Sequence, residues 1–146
     1  MIIFLFSIIG ILISIIFILK YQATVRYGYK VVTSDSQGNF YSAIVSSKAR
    51  VQYYLNKTAR APKYLADRGH HLLIFDTLHQ ACLFSIPNDK PTIFKVRYNS
   101  YDVTKLPNWC SVYWIDSLII QPQPTTQFPE GTIAVKKLKP LHIILL

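Results

Sequence analysis

Residues 1–19 carry no charged side chain, and only Ser7, Gly10 and Ser14 interrupt their run of large apolar groups. As a helix this stretch is apolar on every side, so it lacks the polar face that a surface-packed core helix keeps toward water. At 1.5 Å per residue it measures roughly 28 Å, close to the ~30 Å hydrocarbon thickness of a bilayer. A single transmembrane anchor is therefore expected at residues 1–19. A cleaved signal peptide fits less well. It needs a basic start, a shorter apolar run and a small-x-small cleavage site. No Lys or Arg precedes the run, and bulky Tyr21 stands two positions before Ala23.

The flanks set the expected orientation. Lys20, Arg26 and Lys30 follow the run within the window that counts for the positive-inside rule, and nothing basic precedes it. A basic juxtamembrane linker at residues 20–28 and a cytoplasmic domain at 29–146 follow, with anionic lipid headgroups as a partner of those three side chains. Asn56-Lys57-Thr58 is a glycosylation sequon, usable only if the domain is lumenal instead.

The rest of the chain holds all the charge, 16 Lys+Arg against 7 Asp+Glu for a net +9. Its apolar content, about 45%, is that of an ordinary globular domain, which excludes a collagen, a coiled coil, a disulfide miniprotein and a disordered tail. Val31–Thr33 and Phe40–Val45 flank Ser34-Asp35-Ser36-Gln37-Gly38-Asn39, six turn formers in a row, and read as a hairpin. Arg50–Leu55 is a third strand and His70–Phe75 a fourth. Thr77 with Gln80 makes a capping box for a helix carrying Leu78, Ala81, Cys82 and Ser85 on its packing side and ended by Pro87. Thr92–Tyr98 alternates, setting Ile93, Lys95 and Arg97 against Phe94, Val96 and Tyr98, which predicts a strand with one basic face. Val112–Ile120 and Thr132–Leu138 complete the strands around the extended Gln121–Pro124. The apolar end, Leu141 to Leu146, is expected to pair inside the sheet, the alternative being an exposed apolar tag that docks a partner or the membrane surface. The expected fold class is α+β: a transmembrane helix, then a small, mainly antiparallel sheet with one central helix.

Residues 29–84 resemble small uncharacterised α+β modules found in bacterial, phage and large-virus proteins. The features shared are the strand Tyr29-Lys30-Val31-Val32, the pair Ser42-Ala43, the strand Val51-Gln52-Tyr53, and a Gly-led strand and helix from Gly69 to Phe84. The resemblance implies an α+β fold and no defined activity.

His70, His71, His79 and Cys82, with Asp76 among them, form the densest group able to do chemistry. A zinc site normally shows two ligand pairs, and no second pair follows here. Adjacent His70 and His71 on a strand point to opposite faces. No phosphate loop, nucleophile elbow or paired catalytic carboxylate occurs. No cofactor is therefore expected, and a non-enzyme is favoured. The aromatic stretch Trp109–Trp114 and the net +9 invite a nucleic-acid reading, which dispersed basic residues and the absence of any binding signature disfavour. The function expected is a binding or scaffolding module at the membrane surface, held to the bilayer by residues 1–19 and engaging an unidentified protein partner. The alternatives are a membrane-tethered enzyme using the His70/His71/His79 region, and a lumenal domain if the orientation is reversed.

Overall fold

The computed structural model describes residues 2–43, 49–84, 92–106 and 128–144, with the side chains of the first helix described from Phe6 onward apart from Ala23. Helix α1 spans Ile2–Thr24, and strand β1, Val25–Ser34, begins at the next residue. There follow β2 (Phe40–Ser42), β3 (Gln52–Tyr53), β4 (Ala59–Arg60), α2 (Lys63–Ala66), β5 (Leu72–Phe75), α3 (Leu78–Leu83), β6 (Thr92–Asn99), a 3-10 turn (Ser100–Asp102), β7 (Val103–Thr104), β8 (Thr132–Val135) and β9 (Lys137–Ile144). The sheet order is β4-β9-β6-β1-β5-β8-β7, with β2 pairing β1 and β3, and every pairing is antiparallel.

β1 and β6 form the spine, paired from Val25↔Asn99 to Val32↔Thr92. Both are rich in β-branched and aromatic residues, which fit a pleated, half-buried surface. On one face Val32, Phe94, Val96 and Tyr98 meet Leu72, Ile74, Val135 and Leu138, and Tyr53 and Ala59 from the β3–β4 segment close over them. Phe40 meets Phe94 edge-on, ring centroids 4.8 Å apart. Among the described residues the second face is covered at one end only, where Ala81 of α3 packs with Val31, Phe75 and Ile93. Gly28 lets β5 approach β1, since a Cβ there would lie 2.9 Å from both Ile74 Cδ1 and the Phe75 carbonyl.

The local chemistry of the turns is as the residues dictate. Asp35 Oδ1 accepts from the amides of Gln37 and Asn39 at 2.9 and 2.8 Å, closing the β1–β2 hairpin. Thr77 and Gln80 make the reciprocal capping box of α3. Thr132–Leu138 is two strands instead of one: the chain breaks pairing at Lys136, whose amide donates to the Asp102 carbonyl at 2.8 Å, and resumes as β9. Of the apolar end, His142–Ile144 pairs with β6 as the end of β9, and 145–146 lie outside the described residues. The expected features at Ser85, Pro87, Trp109–Trp114, Val112–Ile120 and Gln121–Pro124 lie outside the described residues.

The α+β class stands, but the transmembrane part of the expectation is corrected. Among the described residues no helix is long and apolar enough to cross a membrane. The C-terminal end of α1, Ile2–Thr24, is polar, with Lys20, Tyr21, Gln22 and Thr24 in it. The single-pass, signal-anchor and membrane localisation readings fall with the span. The cytoplasmic orientation falls too, because the positive-inside argument needs a spanning helix to orient.

Candidate functional site

The residues singled out from the sequence do not converge. His70 and His71 sit just before β5, whereas His79 and Cys82 lie beyond its far end on α3. A four-residue strand separates the two groups, roughly 13 Å of extended chain. Burial lowers the pKa of both His70 and His71, and nearby Lys136 lowers that of His71 further. His79 and Cys82 are exposed, which corrects the placement of Cys82 on the packing side. The physical reason is the brevity of α3: a six-residue helix turns one position, Ala81, fully inward, and Cys82 lies about 100° further round. Among the described residues no three His, Cys, Asp or Glu side chains are grouped to hold a metal ion.

The three membrane-proximal basic residues also part company. Lys20 lies on α1 and Arg26 is exposed on β1, but Lys30 turns inward. Half-buried as a residue, it draws its ammonium beneath the surface, donating to the Leu73 carbonyl at 2.8 Å and lying 5.7 Å from the Tyr53 ring centroid. Desolvation brings its pKa down to about 8. The strand period carries the signal for this, since Lys30 shares a face with buried Val32 two residues on. Tyr53, in turn, shares a hydrogen bond with Ser42, oxygen to oxygen 3.4 Å.

A second polar group lies toward β7. Asp102 is buried, one carboxylate oxygen 3.8 Å from Lys137 Nζ and the other, like His71 Nδ1 and Thr104 Oγ1, buried without a hydrogen-bond partner among the described residues. Buried polar atoms of this kind carry a desolvation cost.

Three basic side chains lie together on the half of the second face that the other described residues leave open. Register places Tyr27, Arg97 and Lys139 in one row across β1, β6 and β9, and Tyr29, Lys95 and His142 in the next. A β-bulge in β9 makes this possible: Lys95 pairs His142 while Val96 pairs Pro140, so Leu141 is the extra residue and both Lys139 and His142 come to the same face. Lys95 Nζ sits 5.5 Å from the centroid of the Tyr27 ring. Among the described residues no carboxylate pairs with Lys95, Arg97 or Lys139. The alternation of Thr92–Tyr98 marks Lys95 and Arg97 from sequence, but their meeting with Tyr27 and Lys139 depends on the bulge, which no local signal announces.

α1 overhangs this half. Phe17, Ile18 and Tyr21 from the helix, Val25 and Tyr27 from β1, and Arg97 from β6 border a groove of about 710 Å³, with Gln22 at its rim. Along α1 the side chains of Ile11, Phe17 and Leu19 are 60%, 75% and 59% exposed. Compared with known proteins, the chain matches no protein family, no curated protein and no solved structure.

Proposed function

We propose that this chain is a non-catalytic binding or scaffolding module whose working surface is the open half of the sheet's second face, and whose partner there is anionic. The observation that carries the reading is the cross-strand pair Arg97 and Lys139. Like charges held directly opposite on neighbouring strands destabilise a sheet. Here the pair is kept with no carboxylate against it among the described residues. An anionic partner would convert that cost into affinity, and Lys95 beside Tyr27 adds a third cation to the same surface. Enzymatic chemistry has less behind it, since His70 and His71 stand before β5 while His79 and Cys82 stand on α3 beyond its far end.

Amide NMR of the full chain titrated with a heparin hexasaccharide tests the reading. Shifts are expected to concentrate on Tyr27, Tyr29, Lys95, Arg97, Lys139 and His142. Shifts spread evenly over the exposed Lys and Arg of the chain would contradict it.

A further inference from the structure

Within that surface the groove between α1 and the sheet has a composition of its own. Its helix wall is Phe17, Ile18 and Tyr21, its floor is Val25 and Tyr27, and its one cation is Arg97. Arg97 is half-buried on a paired strand, has no ion pair among the described residues, and faces Lys139 across β9. A guanidinium in this setting presents a planar fork to a phosphate or carboxylate. The apolar wall beside it continues up α1 through exposed Ile15, Leu12 and Ile11.

We propose that the groove binds a single amphipathic anion, a phosphate or carboxylate head on Arg97 with an alkyl tail laid along Phe17 and Ile18; this rests on the binding-module reading. Each methylene covered against that wall adds to affinity, and the head supplies the charge that the Arg97–Lys139 pair lacks. The groove suits an extended single-stranded nucleic acid less well. The floor ring, Tyr27, already has Lys95 Nζ over it. A polyanion also needs several cations along its track, and one reaches this groove.

The test is photo-crosslinking of the full chain by dodecyl phosphate carrying a diazirine in its tail, used below its micellar concentration. A dodecyl maltoside with the same diazirine serves as the uncharged counterpart, and an oligothymidine as competitor. The phosphate probe is expected to label residues 17–22 in preference to 6–13, and the maltoside to label both alike. Arg97→Gln should abolish the preference and Arg97→Lys keep part of it, with the apparent affinity of the phosphate probe falling roughly tenfold in Arg97→Gln. An unchanged amide spectrum outside the groove establishes that the variants are folded. Even labelling along α1, or a preference that survives in Arg97→Gln, overturns the groove ligand and leaves the wider binding-module reading standing. Arg97-dependent binding of the oligothymidine with no preference from the alkyl phosphate overturns it in favour of nucleic acid. No binding of any anionic probe to the open half removes both readings.

Discussion

Arg97 on β6 stands directly opposite Lys139 on β9, two cations in register across neighbouring strands. Such a pair is a local cost of about 0.2–1 kcal/mol to a sheet in the absence of a counter-charge. Arg97→Gln or Lys139→Gln should therefore raise the stability of the free protein by an amount in that range, and the gain should shrink as salt screens the repulsion. Urea denaturation at low and high ionic strength measures both effects. A loss of stability in both variants would mean that the cations are structural.

Lys30 gives the fold a pH dependence on the alkaline side. Its pKa falls from 10.5 to about 8 on folding, so between those values the unfolded chain binds more protons than the folded one. Stability is then expected to rise as pH increases from about 8 toward 10.5, and to be flat for this group below 8. Lys30→Met should remove that rise and leave stability near neutral pH unchanged or higher, because replacing a buried charge by a similar apolar volume is often neutral or better. Thermal melts of both proteins across pH 7–10 read the difference in slope.

Gly28 marks a close approach of β5 to β1. A methyl group there would press on Ile74 Cδ1 and on the Phe75 carbonyl, each 2.9 Å from the Cβ position. The carbonyl is backbone and cannot rotate aside. Gly28→Ala is expected to cost about 1–3 kcal/mol in chemical denaturation, the range for forced overpacking.

At α3 the cap outweighs the exposed groups. Thr77→Ala, which removes one half of the capping box, should cost about 1 kcal/mol. His79→Ala and Cys82→Ser should each stay within about 0.5 kcal/mol of the parent, since both side chains are exposed. Cys82 should also react with a thiol reagent without prior unfolding.

What was legible in the sequence was what local chemistry decides. Asp35 within a run of turn formers, Thr77 followed by Gln80, and the alternation of Ile93 to Tyr98 each carry their structure within a few residues. What was not legible depends on partners distant in the chain. Lys30 looks like a juxtamembrane cation until β1 takes its place in the sheet and turns it toward Tyr53. Cys82 looks inward if α3 is long, and outward once it stops at Leu83. The break at Lys136 reflects a bond to Asp102, and the surface shared by Tyr27, Arg97 and Lys139 exists only through the bulge at Leu141.

The central claim, that the open half of the second face is a binding surface for anions, is tested most directly by two triple variants of equal charge. One carries Lys95→Gln, Arg97→Gln and Lys139→Gln; the other carries Lys57→Gln, Arg68→Gln and Lys105→Gln at exposed sites elsewhere. Both lose three positive charges, so non-specific attraction falls equally. The salt concentration at which each elutes from immobilised heparin is the measurement. The account predicts that the first triple variant elutes at distinctly lower salt than the second. Equal elution of the two, both below the parent, would contradict it.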